Sequence, residues 1–450
     1  MPSLAKWFSP DRPAAPGVRP APLWSFRPKS YRDAGDAITS NFSLHGFPAK
    51  VSKASMAWRY SFWLGTATAA LFLLTILSGL PLLLLYVPSV ERAYQSVKDI
   101  EYVITFGRWL RGVHRIAAHA MVVLVVLHLA RVFFTGAYKN GIGRNQRREW
   151  NWALGVVMLL VTLFLSFTGY LLPWDQLAFW AVTVGTNIAS SIPGIGPSAR
   201  ELLIGGRAIE QATLIRFYVM HIVFLPGALG VLFAYHMWRV RKDGGLAKAD
   251  REEIVDVARV TAPTPTKTYT LLVVARGTSP AVTARTLEAP GTTVNAMPDL
   301  ARRALIVTLG TIALISILAV FLRSPLEEPA NALVTPNPAK APWYFLWLQE
   351  IVTDTTIHVF GWFTINGAFV GGVILPGALV TLLTVWPWLD RSPSIATGAW
   401  FPRERRTQNL VFIAVMLFIV VLTYVGMELR GPYWQFYWPW QAWPSVPGRI

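Results

Sequence analysis

The chain has 450 residues, 53% of them hydrophobic and only 14% charged, with no cysteine and a formal net charge of +17. A soluble chain usually carries about 25% charged residues. The deficit therefore excludes an ordinary soluble domain and points to apolar runs that cross a membrane. The missing cysteine excludes disulfides, cysteine-ligated iron–sulfur clusters and haem attached through thioethers.

Residues 1–57 are basic and Pro-containing, and they lack the early apolar core of a secretory signal. They are expected to form a cytoplasmic arm. Seven apolar runs follow, at 60–87, 113–135, 152–172, 215–240, 303–323, 367–388 and 410–428. Each has about the length that a helix needs to cross a hydrocarbon core of roughly 30 Å. The expected fold is an all-α membrane protein of seven transmembrane helices. A four-helix bundle at 58–240 is joined through a cytoplasmic linker at 241–302 to a three-helix part at 303–430. A short strand is expected around Tyr269–Val274 in the linker. The tail at 431–450 is crowded with Trp and Tyr, which favour a membrane interface; a partner surface is the alternative.

Charge distribution sets the expected topology. With the N-terminus in the cytoplasm, the arm and the even-numbered loops carry 28 of the 41 Lys and Arg residues. That is the positive-inside bias. It predicts a multi-pass protein of the cell membrane with its C-terminus outside, and it makes nucleic-acid binding the poorer account of the net charge.

The second apolar helix carries His114 and His128, fourteen residues apart, and the fourth carries His221 and His236, fifteen apart. At 3.6 residues per turn, fourteen residues are close to four turns, which places His114 and His128 on one face about 21 Å apart. Fifteen give an offset of roughly 60°, which a local kink at Pro226 could adjust. Intramembrane imidazoles are costly and therefore functional candidates; the bland alternative is an interhelical hydrogen bond at each. Two pairs with matched spacing favour ligation. A haem takes one ligand from each side of its plane, so two b-type haems at different depths are expected. The even-numbered helices both run inward, which pairs His114 with His221 near the outer face and His128 with His236 near the cytoplasm.

Glycines share the period: Gly65 and Gly79 on the first helix, and Gly155 and Gly169 on the third, are each fourteen apart. Glycine permits the close backbone approach a haem edge needs. Arg111 and Arg216, just outside the outer ligands, are expected to bind propionates, and Arg131 and Arg239 stand similarly past the inner ones. His119 lies about 140° around the helix from His114 and is read as structural. His358 and His45 fall in loop and arm segments.

These residues, together with TGYLLPWDQLAFWAVTVGTN (168–187), TLIRFYVMH (213–221) and TPNPAKAPWYFLWLQE (335–350), make the chain resemble the cytochrome b of Rieske–cytochrome b complexes. The fifteen-residue spacing, the VHR at 113–115 and the PWDQ at 173–176 are similar to the chloroplast-type branch, whose two halves are separate polypeptides; here they are fused. The resemblance implies oxidation of quinol near the outer face, with one electron passing to a Rieske iron–sulfur protein and one through the haems towards a cytoplasmic quinone site. It also implies a c-type cytochrome partner and a dimeric complex in membrane lipid. Residues 168–187 and 341–344 would form the quinol pocket, with Trp343 and Tyr344 in it. The family motif is Pro-Glu-Trp-Tyr, whereas this chain has Ala341-Pro342-Trp343-Tyr344. The family's glutamate proton acceptor is therefore missing, and Asp175, Glu350, Asp354 and His358 are the candidates to replace it. The inner quinone site would lie near Arg239, Arg241, Lys242 and Asp243. The altered motif leaves an alternative open, a dihaem anchor that links quinone to a hydrogenase or molybdenum module.

Overall fold

The computed structural model describes residues 50–52, 56–140, 147–242, 293–295, 299–359, 363–393 and 398–444. The expected strand at Tyr269–Val274, together with His45 and Asp243, lies outside them. Seven helices are long and apolar enough to span a membrane: α1 (Leu64–Leu85), α3 (Gly107–Phe134), α4 (Arg148–Tyr170), α7 (Gln211–Val240), α8 (Ala301–Phe321), α10 (Gly367–Leu389) and α11 (Arg403–Leu429). By bonding their backbone groups largely within each helix, such segments meet the bilayer's demand for internal hydrogen bonds. The protein is an all-α, multi-pass membrane protein.

Four shorter helices lie between the spans: α2 (Ala93–Tyr102), α5 (Gln176–Ser190), α6 (Gly196–Ile204) and α9 (Leu346–Asp354). They are too short or too polar to cross a bilayer, so hydropathy alone does not reveal them. Two strands that the sequence did not announce, β1 (Lys50–Ser52) and β2 (Thr293–Asn295), pair antiparallel with Val51 opposite Val294. They tie the end of the basic arm to the end of the linker. A second hairpin, β3 (Ile357–Val359) and β4 (Phe363–Ile365), precedes α10.

Helix α1 packs along α3, α7 along α4, and α8 against both α1 and α3. The main core holds Leu71, Leu74, Val113, Ala117 and Met121 with Ile315 and Ala319 of α8. The two membrane halves therefore share one core.

The backbone of α7 is not a regular α-helix throughout. Met220–Phe224 forms a π-turn directly before Leu225–Lys242. Pro226 has no N–H to give to the carbonyl four residues earlier, and a single π-turn accommodates one additional residue at such a break. The pentapeptide LPGAL recurs at 375–379, and α10 has the same device, a π-turn at Val370–Ile374 ahead of Pro376. In α7 the extra residue has a direct effect. The fifteen residues between His221 and His236 turn the helix as fourteen would, which restores the period of His114 and His128 on the uninterrupted α3.

Candidate functional site

Two imidazole pairs face each other across the bundle. The ring centres of His114 and His221 are 6.2 Å apart, with planes at 75°, and those of His128 and His236 are 6.5 Å apart, at 78°. Metal–imidazole bonds are about 2 Å, and a ring centre lies roughly 1.2 Å behind its nitrogen. An iron held between two imidazoles thus sets the centres about 6.4 Å apart. Both pairs fit an axially ligated haem iron.

The nitrogens facing away from the partner ring are also arranged for ligation at the first pair. His221 Nδ1 lies 3.1 Å from the Leu165 carbonyl and 3.2 Å from Thr168 Oγ1. A carbonyl only accepts, so this nitrogen carries the proton and Nε2 keeps its lone pair. His114 Nδ1 lies 3.0 Å from Ser78 Oγ, which itself donates to the Leu74 carbonyl at 2.7 Å. The serine proton is thereby committed, and His114 is held in the same tautomer. At the second pair, His236 Nδ1 is buried without a hydrogen-bond partner among the described residues.

Three of the four glycines stand against these rings. A Cβ on Gly65 would come within 3.2 Å of His128 Cε1, one on Gly79 within 3.2 Å of His114 Cε1, and one on Gly169 within 2.5 Å of His221 Cε1. Gly155 faces open space, with nothing within 4 Å. Its absent side chain leaves room rather than relieving a contact.

A cavity of about 660 Å³ opens at the first pair. Its lining includes His114, His221, Gly79 and Gly169, and also Arg115, His119, Tyr344 and Asp175. Asp175 caps α5, accepting from Ala178 N at 2.9 Å, and its other oxygen accepts from Glu327 N at 3.2 Å. Burial pushes its carboxyl above the usual range, and the two backbone N–H groups oppose that shift. Tyr344, also in the lining, is buried, whereas Trp343 is more open and donates its indole N–H to His119 Nδ1 at 2.9 Å. Sequence reasoning missed Arg115 and His119 as lining residues. His119's partner is 224 positions away, and its offset from His114 on the helix suggested a structural role.

Several expected site residues lie elsewhere. Glu350 does not line this cavity. It is 1% exposed, and Arg430 Nε reaches both of its carboxylate oxygens, at 2.9 and 3.1 Å. Both of its oxygens are engaged by a guanidinium outside the cavity. Asp354 is exposed, 3.3 Å from the same arginine, and His358 is exposed on β3 with Thr364 Oγ1 at 2.9 Å. Arg111 lines the cavity but is engaged by Glu101 at 2.6 Å and by the carbonyls of Ser324 and Pro325 at 2.7 and 2.9 Å. Arg216 is exposed and donates to the Leu202 carbonyl. Arg131 and Arg239 are buried at the other end of the bundle. The side chains of Arg241 and Lys242 lie outside the described ones.

Comparison with known proteins follows the same two halves. The family profile described as "Cytochrome b(N-terminal)/b6/petB" matches residues 119–342, and "Cytochrome b(C-terminal)/b6/petD" matches 329–440. The menaquinol:cytochrome c reductase cytochrome b subunit of Geobacillus thermodenitrificans is 39% identical over 224 residues, 50% of this chain and 91% of that one. Cytochrome b6 of Synechococcus elongatus is 39% identical over 181 residues, 40% and 81% of the two chains. Cytochrome b of Rhodobacter capsulatus is 31% identical over 378 residues, 82% and 78%. A chain of a solved hyperthermophilic respiratory Complex III superposes with a TM-score of 0.65 at 23% identity, covering 88% of this chain and 90% of that one. At that identity the likeness shows the fold.

Proposed function

Because the chain belongs to the cytochrome b family of quinol:cytochrome c oxidoreductase and b6f-type complexes, we propose that it is the subunit that binds two b haems and carries electrons across the membrane between quinol and quinone sites. The observation that carries this reading is the equal spacing of the two imidazole pairs, 6.2 and 6.5 Å between ring centres. When bound, each haem supplies a reversible one-electron iron couple at a fixed depth. His114 and His221 hold one, and His128 and His236 the other. Ser78, Thr168 and the Leu165 carbonyl keep the first pair's Nε2 lone pairs turned inward. Fourteen residues of helix separate the depths by about 21 Å. Moving one charge across the whole membrane works against about 2.3 kcal/mol per 100 mV, and the step between the two haem depths takes a large share of it.

The His114–His221 end is the outer side in this reading, as the charge bias implies. Its cavity binds quinol, with Tyr344 in its wall and Trp343 bonded to the lining residue His119. With Pro342 in the place of the family's glutamate, Asp175 is the carboxylate that lines the cavity with a raised proton affinity. Quinol oxidation releases two protons with its two electrons; one passes to one Oδ oxygen of Asp175, exchanging a buried charge for a neutral acid, and the other leaves to water on the outer side. One electron leaves to a Rieske iron–sulfur partner subunit, which hands it to a c-type cytochrome, and the other crosses towards the cytoplasmic side.

The test is a reduced-minus-oxidised spectrum of the purified protein with a haem assay. Two b haems per chain are expected, and absence of a b-type α-band would sink the reading. Copurifying subunits provide the second arm. A Rieske protein supports this assembly, and a hydrogenase or molybdopterin module in its place would convert the chain into a membrane anchor.

A further inference from the structure

His119 has a fixed hydrogen-bonding polarity. The Trp343 indole N–H donates to its Nδ1 at 2.9 Å, and the two rings lie 24° from parallel with centres 6.4 Å apart. Tyr344 closes on the same ring edge-on at 5.9 Å. An indole nitrogen is a donor only, so Nδ1 must be the acceptor, and the ring proton of neutral His119 sits on Nε2. The residue is only partly buried and lines the cavity that also holds Arg115, Tyr344 and Asp175. His119 leaves α3 about 140° away from His114, and so belongs to a different wall from the one that carries the ligand pair. A further proton on Nδ1 would meet the indole N–H head-on. The arrangement keeps His119 neutral and turns its remaining nitrogen into a donor.

We infer that His119 is a substrate-binding residue of this cavity, its Nε2–H donating a hydrogen bond to a ring oxygen of a quinone, with Trp343 as the positioning residue that fixes the tautomer. This rests on the reading of the cavity as a quinone site. It divides the polar work between two walls: His119 supplies the donor that an oxidised ring oxygen requires, and Asp175 supplies the acceptor for a hydroxyl. Pro342 offers neither a carboxylate nor an N–H, so its two neighbours, Trp343 and Tyr344, reach the cavity through His119 and through a buried hydroxyl.

The test uses the whole protein with its haems and partner subunits in nanodiscs, and menadione carrying 13C at its carbonyls as the probe. Infrared difference spectra read the hydrogen bond to the carbonyl, and titration of the same band reads affinity. In the native protein the band is expected at the lowered frequency of a bonded carbonyl. His119→Leu should return that component to the free frequency and weaken binding roughly three- to tenfold, the range for one neutral hydrogen bond. His119→Gln should retain it, because the amide oxygen accepts from Trp343 while the amide nitrogen donates. Trp343→Phe provides an independent reading should the leucine variant fail to assemble. It releases the tautomer, and the bonded component should broaden and weaken. A shifted band indifferent to both His119→Leu and Trp343→Phe overturns the inference and leaves the quinone reading standing. A native band that saturates at the free frequency also overturns the inference, whereas no saturable menadione band overturns the quinone reading itself.

Discussion

The two imidazole pairs are nearly identical in spacing and share a glycine against the α3 ring, but differ in hydrogen bonding and in what opens beside them. The His114–His221 pair has its outward nitrogens engaged by Ser78, Thr168 and a carbonyl, and opens on a cavity of about 660 Å³. The His128–His236 pair has one outward nitrogen with no partner among the described residues, and the buried Arg131 and Arg239 lie near that end. In the proposed reading the common spacing is that of an iron held between two imidazoles. The surroundings are set by what each site exchanges with its environment. One end opens on a cavity, and the other keeps two buried arginines near its imidazole pair.

The largest expected effect breaks the symmetry outright. His114→Ala or His221→Ala should halve the haem content and leave one spectral component, and His128→Ala or His236→Ala should leave the other. A haem assay with redox titration reads this, and loss of both haems from any one substitution would show that the pairs do not act independently. Gly169→Ala comes next. Its Cβ would stand 2.5 Å from His221 Cε1, whose ring is held by Leu165 and Thr168, whereas Gly65→Ala meets His128 at a more tolerable 3.2 Å. The first should shift one midpoint potential clearly, the second shift the other by less.

The smallest effect is pH-dependent and confined to the His128–His236 end. There Asp390 accepts from Tyr138 Oη at 2.7 Å and Ser392 N at 2.9 Å, and pairs with the fully buried Arg405 at 3.3 Å. Burial raises its proton affinity, but the hydrogen bonds from Ser392 and Tyr138 and the Arg405 charge outweigh it, and the carboxyl is held below its ordinary value. A depressed folded-state pKa contributes stability above the unfolded value of about 3.9, and that contribution is lost as pH falls through the folded value. Thermal melts below pH 4 should therefore show native protein losing more stability than Asp390→Asn does. Equal losses would remove Asp390 as the titrating group.

Much of this was legible in the sequence because it is periodic. Length and hydropathy mark the seven spans, and the fourteen-residue spacing marks the two α3 histidines and their two glycine neighbours, Gly65 and Gly79. The rest depends on contacts between distant positions. Glu350 reads as a free carboxylate until Arg430 is placed 80 residues away, and His119 reads as core until Trp343 is. The fifteen-residue spacing in α7 looks like a 60° mismatch. Pro226 is visible in the sequence, but the π-turn that cancels the mismatch is a backbone response that residue spacing does not encode. The repeated LPGAL segment was the available hint.

The Asp390 network also bears on how the chain is put together. Arg405 donates to the Phe133 carbonyl at 2.9 Å and to Tyr138, and Lys139 to the Asp390 carbonyl at 2.8 Å. At the opposite end Arg111 grips the Ser324 and Pro325 carbonyls. The two halves are thus riveted at both ends by groups that owe nothing to the peptide running between them. Those contacts predict that covalent continuity through 243–292 is dispensable for assembly. Residues 1–245 and 290–450, produced together as separate polypeptides, should find each other in the membrane and copurify with haem bound. Arg405→Ala should weaken that reunion far more in the split protein than in the intact one, where the tether keeps the halves at high effective concentration.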